Sequence, residues 1–326
     1  MKAWMPFCAT DINFPNIGLY LKKVPDGFTI FGFRIALYGI FIGLGMFLGY
    51  LVAERMAKKT GQDAEKYLDF TIIAIIVSVI CARIYYVAFN WSAFSEKPLS
   101  VFNIRSGGLA IYGGVIGGVG TAIIFSKIKK LNVGQFLDTA VVGLITGQVI
   151  GRWGNFVNRE CFGTYTNSLL AMQVNVEDTS YCFNPAASTE YVKNLFAGKE
   201  KALENVMEIR RNAIVTDTAT YIQVHPTFLY ESLWNLALLI LLLLYTKHKK
   251  FHGEIICLYL IGYGLGRFWI EGLRTDQLFL FNTSIPVSQA LSAVLVLLGG
   301  ALYAVGFYKS RKKTDGLEID KKPATK

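Results

Sequence analysis

The strongest constraint on the fold is a series of seven apolar segments, each long enough to cross a lipid bilayer as a helix. A bilayer core requires about 20 mostly apolar residues in helical conformation. Only 17% of the 326 residues are charged, whereas about a quarter are charged in an average soluble protein. We therefore predict an all-α polytopic membrane protein with seven transmembrane helices. The predicted spans are residues 31–52, 68–89, 107–125, 134–155, 227–245, 254–271 and 285–308.

The positive charges predict how these spans are oriented. The formal net charge is +10, but the basic residues form short clusters between apolar segments, which argues against a nucleic-acid-binding surface. Lysine and arginine are enriched in the cytoplasmic loops of membrane proteins, and the four clusters fall on alternate connections. The N-terminus is therefore expected outside and the C-terminus in the cytoplasm. The clusters lie at residues 55–59, 127–130, 247–250 and 309–313.

Two regions differ from the apolar spans. Residues 1–308 form the predicted seven-helix domain, and residues 309–326 form a basic cytoplasmic tail that we expect to be disordered. Residues 159–224 are too long for a turn and contain six basic and eight acidic residues, so they lack the cytoplasmic bias. We predict a small extracytoplasmic subdomain there. Its residues 188–212 have helical periodicity, and the apolar face comprises Leu195, Phe196, Leu203, Val206 and Met207.

Polar side chains from four spans converge at the depth of the outer lipid headgroups. The fourth and sixth spans run outward and bring their polar residues close to their outer ends. The first and third run inward, and at ~1.5 Å per helical residue Tyr38 and Tyr112 are expected about 10 Å and roughly 8 Å below the outer ends. The residues at this depth are Tyr38, Arg105, Tyr112, Arg152, Asn155, Arg267 and Glu271.

Each of these residues also has a simpler structural explanation. Arginines near helix ends can extend to the interface, and tyrosines are common there. Asn155 and Asn158 could cap the fourth helix, and His225 before Pro226 is typical of a helix entry. These explanations treat residues singly. They do not account for residues 151–163, where two arginines, two asparagines and a glutamate occur together.

A pair of arginines at headgroup depth is suited to binding a phosphate. The guanidinium group is always charged and presents paired donors that match phosphate oxygens, and the outer leaflet would supply the phosphate as a phospholipid headgroup. Glu160 and Glu271, each near an arginine, could orient it or bind a hydroxylated headgroup. The glycine-rich residues 106–118 lack the strand–helix context of a nucleotide-binding loop, so close helix packing or lipid contact is favoured.

Five motifs, in order along the chain, resemble those of bacterial prolipoprotein diacylglyceryl transferases. The most specific is Gly151-Arg152-x-Gly154-Asn155-Phe156-x-Asn158-x-Glu160-x-Phe162-Gly163. The others are Arg34 to Gly39 with Tyr38, Arg105 to Gly118, His225-Pro226-Thr227-x-Leu229-Tyr230-Glu231, and Gly266-Arg267-Phe268-x-x-Glu271-x-x-Arg274. The resemblance runs from the first span to the end of the sixth, and the family also has seven spans with an external N-terminus.

The resemblance implies a reaction at the outer leaflet of the bacterial cytoplasmic membrane. The thiol of the lipobox cysteine in a preprolipoprotein would attack the glycerol carbon of phosphatidylglycerol that bears the phosphate. A thioether would form and glycerol 1-phosphate would leave, which is the first step of lipoprotein maturation. No metal or other cofactor is implied, because the phospholipid ester already contains the leaving group. The outer subdomain would contact the preprolipoprotein or act as a lid.

The resemblance also implies roles for individual residues. Arg152 and Arg267 would stabilise the charge that develops on the leaving phosphate, Glu271 would position Arg267, and Tyr38 would line the site. The residues expected to bind phosphatidylglycerol are Arg105, Arg152, Asn155, Asn158, Glu160, His225, Tyr230, Glu231 and Glu271.

Tyr112 departs from the pattern of some family members, which carry a histidine at this position. That histidine is a natural general base, whereas a phenol with a pKa of ~10 is a poor base at neutral pH. Either a nearby arginine activates Tyr112, or Tyr112 only positions a group and the substrate thiol loses its proton elsewhere. The residues leave the identity of the base open.

Two other functions fit the sequence less well. An anion or phospholipid transporter would tend to show repeats and a site near the membrane midplane, and no repeat is evident. A metal-dependent alcohol-phosphate transferase would need an aspartate-rich motif, which the sequence lacks. Cys161 and Cys182 both fall in the outer segment, and the sequence permits either a disulfide or two free thiols.

Overall fold

The computed structural model describes residues 9–95, 98–104, 107–280, 283 and 285–319, the last seven of them by backbone only. Most of this part of the chain is helical, as predicted for the membrane spans. The long helices are α1 (Leu37–Lys59), α2 (Glu65–Phe89), α3 (Ile111–Ile128), α4 (Val133–Asn158), α7 (Thr227–Tyr245), α8 (Glu254–Glu271) and α9 (Val287–Ile319). The shorter helices are α5 (Thr189–Leu195) and α6 (Glu200–Arg211).

Six helices within the described residues are long and apolar enough to cross a membrane, which supports a polytopic membrane protein. The exception among the predicted spans is α8. Its bounds coincide with the prediction, but Glu254, Arg267 and Glu271 give it three charged side chains in 18 residues. The seventh span therefore stays a prediction.

The first and third helices begin later than predicted. Residues 27–36 form the hairpin of β3 (Gly27–Ile30) and β4 (Phe33–Ala36), and α1 starts only at Leu37. In the third segment Gly107 and Gly108 have φ values of 85° and 80°, a left-handed conformation that a continuing helix excludes. Tyr38 and Tyr112 consequently lie in the first turns of α1 and α3, and the predicted depths of 10 Å and 8 Å below the helix ends are wrong.

Glycines allow the closest helix contacts in the bundle. A Cβ placed on Gly49 of α1 would lie 2.5 Å from the carbonyl oxygen of Gly143 in α4. A Cβ on Gly113 of α3 would lie 2.4 Å from the carbonyl oxygen of Cys81 in α2. Small residues at such crossings let helix backbones approach and pack in a membrane. The close packing predicted for the glycine-rich third and fourth spans is confirmed.

The segment between α4 and α7 is not purely helical. It joins the N-terminal strands in a five-stranded antiparallel sheet of order β2-β1-β5-β7-β6. The strands are β1 (Ala9–Phe14), β2 (Leu19–Pro25), β5 (Met172–Asn175), β6 (Ile214–Val215) and β7 (Thr220–Val224). Ile12, Val174 and Ile222 of neighbouring strands are fully buried in one core. The all-α prediction is wrong here, because the N-terminal segment supplies strands that complete the subdomain's core.

The helical periodicity predicted for residues 188–212 is present, divided between α5 and α6. Gly198, with φ of 75°, lies in the connection that interrupts the helix. Val206 is fully buried, and Phe196, Leu203 and Met207 pack against the same core. Leu195 was assigned to this face incorrectly, since it is 52% exposed.

Helix α9 extends beyond its predicted end at residue 308. It continues to Ile319, into the segment that we expected to be disordered from residue 309. Lysine and arginine are good helix formers, so a basic segment can extend an apolar helix past the membrane. Residues 320–326 lie outside the described residues.

Candidate functional site

Three helix ends and two connecting segments meet at one end of the bundle. The C-terminal parts of α4 and α8 lie beside the N-terminal part of α7, where the Ser232 hydroxyl donates to the Val149 carbonyl at 2.9 Å. Beyond the helices, Gly163 and Arg274 form an antiparallel bridge. The polar motif of residues 151–163 is therefore held against the end of α8.

Glu231 in the first turn of α7 is the shared partner of three arginines. Its carboxylate lies 2.5 Å from Nε of Arg152 in α4 and accepts a hydrogen bond from Arg267 in α8. Nη1 of Arg274, just after α8, lies 3.7 Å from it. The Glu231 side chain is only 5% exposed. The carboxylate therefore joins the ends of α4, α7 and α8.

Glu271 is a second buried carboxylate in the same group. Its Oε2 lies 2.5 Å from Nη2 of Arg267 and 3.9 Å from Nε of Arg274. Arg274 also donates to both carboxylate oxygens of Asp276, at 2.9 Å and 2.6 Å. We call Arg152, Glu231, Arg267, Glu271 and Arg274 the arginine–glutamate cluster.

The cluster carries a formal charge of +1, from three arginines and two glutamates. Burying charged groups is costly unless they are paired and hydrogen-bonded, and each glutamate here contacts at least two guanidinium groups. The arginine side chains keep some exposure: 23% for Arg152, 15% for Arg267 and 10% for Arg274. Asp276 balances the charge of Arg274, so the partly exposed guanidinium groups of Arg152 and Arg267 are the ones that the arrangement can orient toward an anion.

Asn155 extends the cluster along α4. Its Oδ1 accepts a hydrogen bond from Nη1 of Arg152 at 3.4 Å, and its Nδ2 donates to Oε1 of Glu160 at 3.0 Å. Asn158 donates to the same oxygen at 3.3 Å. The two amides therefore hold Glu160. The group that caps the end of α4 is the backbone N–H of Arg159, which donates to the carbonyl oxygens of Asn155 and Phe156.

Cys161 lies beside this network without a disulfide partner. The Asn155 amide donates to its sulfur at 3.6 Å, and Cys161 and Cys182 are both free thiols. Burial raises the pKa of Cys161 to about 11. The thiol is therefore protonated at neutral pH, and a protonated thiol is a poor nucleophile.

Tyr38 packs on the same motif. A Cβ placed on Gly154 of α4 would lie 2.8 Å from Cδ2 of the Tyr38 ring, so the ring occupies the space that a side chain at residue 154 would fill. Tyr38 itself is 36% exposed. The structure thus brings Tyr38 to the motif that contains Arg152 and Asn155.

His225 and Tyr230 form a neighbouring pair. Nδ1 of His225 lies 3.1 Å from the Tyr230 hydroxyl, and the carbonyl of His225 accepts the backbone N–H of Gly163 at 2.9 Å. Burial lowers the pKa of His225 below its ordinary value, so its ring is neutral at pH 7. The Tyr230 ring stacks on Trp269 of α8 with centroids 6.2 Å apart.

Among the predicted site residues that the structure describes, Tyr112 is not part of this network. The Tyr112 hydroxyl lies 3.4 Å from Oγ of Ser288 in α9, and among the described residues no hydrogen bond or ion pair joins it to the arginine–glutamate cluster. Arg105 lies outside the described residues. Arg274 was the main omission from the predicted site, although its spacing of three residues from Glu271 places the two on one side of the chain.

Comparison with known proteins identifies similar sequences over most of the chain. The family model described as prolipoprotein diacylglyceryl transferase matches residues 25–305. Similar proteins named phosphatidylglycerol–prolipoprotein diacylglyceryl transferase occur in Clostridioides difficile strain 630, with 39% identity over 87% of this chain and 96% of that protein. Those of Clostridium novyi strain NT and Bacillus licheniformis are 41% and 36% identical, over 84% and 88% of this chain and 93% and 94% of theirs.

Proposed function

Because this chain belongs to the prolipoprotein diacylglyceryl transferase family, and is therefore a transferase, we propose that it acts on phosphatidylglycerol and a preprolipoprotein at the arginine–glutamate cluster. The diacylglyceryl group passes to the thiol of the lipobox cysteine. The thiol gives up its proton, the S–C bond forms at the glycerol carbon, the C–O bond to phosphate breaks, and glycerol 1-phosphate leaves with the bonding electrons. The released proton passes to the departing phosphate or to solvent. The observation that carries this assignment is the pair of partly exposed guanidinium groups of Arg152 and Arg267, held by the buried carboxylates of Glu231 and Glu271.

The guanidinium groups of Arg152 and Arg267 fit the charge change in this reaction. The phosphodiester of phosphatidylglycerol carries one negative charge, and breaking the C–O bond places a second charge on the departing phosphate. A positively charged group that attracts this second charge stabilises the transition state more than the ground state. Arg152 and Arg267 are the residues that we assign to phosphate contact.

Glu231 and Glu271 serve as positioning residues in this proposal. They hold the guanidinium groups of Arg152 and Arg267 in fixed orientations before the lipid arrives, and donors fixed in advance avoid reorganisation during the reaction. Glu231, predicted to bind the lipid, is 5% exposed and surrounded by arginines, which favours an indirect role.

Asn155, Asn158 and Glu160 are assigned to the lipid headgroup. The hydroxyl groups of its terminal glycerol can donate to Glu160, whose position is set by the two asparagine amides. His225 and Tyr230 form the adjoining wall, and Tyr38 closes the side next to α1. Tyr112 is assigned a positioning role toward α9, because its hydroxyl is directed to Ser288.

The reacting thiol belongs to the substrate rather than to Cys161. A mechanism through an enzyme thioether would require the Cys161 thiolate, but burial raises the pKa of Cys161 to about 11. A Cys161→Ser variant should therefore retain turnover. Loss of turnover together with a lipid adduct on Cys161 in the unmodified enzyme would replace the direct displacement by a two-step reaction.

The orientation that fits this function places the cluster at the outer leaflet of the bacterial cytoplasmic membrane. The four basic clusters lie at the opposite ends of the helices, where α1 and α3 end and α8 begins. In this arrangement α8 is the seventh span, with Arg267 and Glu271 paired to each other. The sheet-containing subdomain then lies outside, beside the site, where a preprolipoprotein can contact it.

This orientation can be tested by labelling in intact cells. In a chain without native cysteines, a membrane-impermeant maleimide should label Glu190→Cys in the subdomain and spare Lys127→Cys at the end of α3. The reverse pattern would contradict the orientation without affecting the assignment of the reaction.

The reaction is tested with purified protein, phosphatidylglycerol labelled in its acyl chains, and a lipobox peptide. We expect a labelled thioether and release of glycerol 1-phosphate. A peptide with serine in place of the lipobox cysteine should remain unlabelled. Absence of the thioether, while the Clostridioides difficile relative is active in the same assay, would overturn the proposal.

A further inference from the structure

A cavity of about 500 Å³ lies at the end of the bundle opposite the arginine–glutamate cluster. The connection between α7 and α8 and the last part of α9 form its walls, and Lys249, Lys250 and Lys309 line it. The cavity is distant from the cluster, because Glu231 and the end of α7 at Tyr245 are separated by 14 residues, or about 21 Å of helix. The reaction proposed above therefore makes no use of it.

The three lysines differ in whether a carboxylate pairs with them. Nζ of Lys249 lies 3.5 Å from Oδ2 of Asp138 in α4, so its charge is paired. Among the residues up to 312 whose side chains the structure describes, no carboxylate lies within ion-pair distance of Lys250 or Lys309. Nζ of Lys250 is held 5.0 Å from the centroid of the Phe307 ring, a cation–π contact that leaves its charge in place.

The acidic residue closest in sequence to Lys250 is Glu254, and its carboxylate is already hydrogen-bonded to other groups. Glu254 at the start of α8 is fully buried, and its carboxylate accepts hydrogen bonds from the backbone N–H groups of Lys250 and Phe251. It also accepts the Tyr245 hydroxyl at 2.8 Å. Glu254 therefore stabilises the loop and does not neutralise the lysine side chains.

The walls of the cavity combine polar and apolar surfaces. Gly306 of α9 lets the loop approach closely, since a Cβ there would lie 2.3 Å from the Phe251 ring. The Ser310 hydroxyl donates to the Lys250 carbonyl at 3.2 Å. Next to the cavity, α9 exposes apolar side chains at Leu302, Val305 and Tyr308. The cations thus adjoin a surface that suits lipid chains.

We propose that this cavity binds the phosphate group of an anionic phospholipid. The lipid belongs to the leaflet at this end of the bundle, on the other side of the membrane from the arginine–glutamate cluster. Lys250 and Lys309 would contact the phosphate, and the apolar surface of α9 would contact the upper part of the acyl chains. Basic pockets between transmembrane helices are suited to anionic headgroups. A soluble phosphate ion would use the lysines but gain nothing from the apolar wall.

Native mass spectrometry of the full chain in a neutral detergent tests this proposal, with dioleoyl phosphatidic acid as the probe and dioleoyl phosphatidylcholine as the zwitterionic comparison. All variants are made in an Arg152→Gln/Arg267→Gln background, which removes the two guanidinium groups assigned to phosphate contact in the arginine–glutamate cluster. We expect Lys250→Gln/Lys309→Gln to weaken phosphatidic acid binding on the order of tenfold, since each lysine near a lipid phosphate contributes substantially. The single Lys309→Gln variant should weaken it severalfold.

The matched control is Lys127→Gln/Lys130→Gln, which removes the same charge from exposed lysines at the same end of the bundle. It should leave binding within about twofold, because neither lysine lines the cavity and exposed charges beyond a Debye length of about 10 Å are largely screened. Equal effects of the two double variants, or equal binding of phosphatidylcholine, would overturn the proposal. Displacement of the lipid by millimolar inorganic phosphate would overturn the lipid assignment and indicate a site for a soluble anion.

Discussion

Arg83 and the arginines of the arginine–glutamate cluster are held by different kinds of hydrogen-bond acceptor. Arg83 in α2 directs all of its donor nitrogens at backbone carbonyls of the segment that leads into α3. The distances range from 2.7 Å to 3.1 Å, and the acceptors are the carbonyls of Ser100, Val101, Asn103, Gly107 and Gly108. The arginines of the arginine–glutamate cluster are held instead by carboxylates on other helices.

This difference separates an arginine that stabilises the fold from an arginine that we propose to act in the reaction. Neutral carbonyls fix the Arg83 side chain and with it the positions of residues 100–103, 107 and 108, and its donors are all in use. Arg83 is accordingly buried, at 7% exposure. Arg152 has a carboxylate on one side and 23% exposure, so it can still donate to a ligand. The acceptors around an arginine, more than its depth, therefore distinguish Arg83 from the arginine that we propose to bind substrate.

The sharpest test of this comparison is to change both arginines to lysine. Arg152→Lys keeps the charge but loses the paired donors of the guanidinium group. We expect kcat to fall by about 10² or more, the range seen when one transition-state donor is removed. The melting temperature should change little. Turnover of labelled phosphatidylglycerol and thermal unfolding in detergent measure the two effects.

Arg83→Lys should show the opposite pattern. Lysine has three donors in place of five, so at least two carbonyls lose a charged partner, at about 1.5–3 kcal/mol each. The melting temperature should fall while the activity of the folded fraction stays within about twofold of the parent, because no phosphate contact is removed. A fall in kcat without a loss of stability would show that Arg83 also serves the reaction.

The second test compares two buried glutamates, Glu231 and Glu254, which lie at opposite ends of the bundle. Glu231→Gln removes the carboxylate shared by Arg152, Arg267 and Arg274 and leaves them poorly oriented. We expect kcat to fall about tenfold to a hundredfold, since fixed donors are lost. Breaking a buried ion pair should also lower stability, by about 3–5 kcal/mol.

Glu254→Gln is the matched control for Glu231→Gln. Glu254 is buried like Glu231, but among the described residues it accepts hydrogen bonds from backbone amides and the Tyr245 hydroxyl, at the other end of α8. Its replacement should reduce stability and leave the kcat of the folded fraction near that of the parent. Equal losses of kcat in the two variants would mean that both act through the fold.

These contrasts explain which parts of the structure could be predicted from the sequence. Long apolar segments predict membrane helices, because no other local structure satisfies the backbone in lipid, and the bounds of α7 and α8 coincided with the prediction. The motif of residues 151–163 indicated the site because its polar density had no simpler explanation. The partners of Arg83 could not be predicted, since they are backbone carbonyls that any sequence offers.

The sheet and the shared role of Glu231 also could not be predicted from the sequence. Strands β1 and β5 are more than 150 residues apart, with the register Ile12 to Val174, and only the assembled bundle brings them together. In the sequence, Glu231 resembles an ordinary glutamate near the start of an apolar helix. Its three arginine partners come from residues 152, 267 and 274, so its role depends on how α4, α7 and α8 pack.

A smaller effect is expected from the contact between Tyr38 and α4. Gly154→Ala places a methyl group where the Tyr38 ring now lies, 2.8 Å from Cδ2. Alanine stabilises a helix by roughly 0.5–1 kcal/mol relative to glycine, so lost activity would not come from the helix itself. We expect kcat/KM to fall about tenfold, because small displacements of positioning groups are costly.

Gly151→Ala, one turn earlier in α4, is the control for this contact. A Cβ at this position would meet only the end of the Ile42 side chain, at 3.4 Å. Activity should stay near that of the parent. Equal losses in the two variants would show that α4 tolerates no added methyl group, and would remove the argument for a specific role of Tyr38.

The smallest effect is expected at Tyr112, which lies at the position of the histidine in some family members. Its hydroxyl lies 3.4 Å from Oγ of Ser288, a weak contact that contributes at most about 1 kcal/mol. Tyr112→Phe should therefore keep kcat within about threefold of the parent, with an unchanged pH profile, and Ser288→Ala should behave alike. A loss of a hundredfold in Tyr112→Phe alone would instead place the phenol in proton transfer, the magnitude typical of a general base. In that case the hydroxyl must turn from α9 toward Arg152 when the substrates bind.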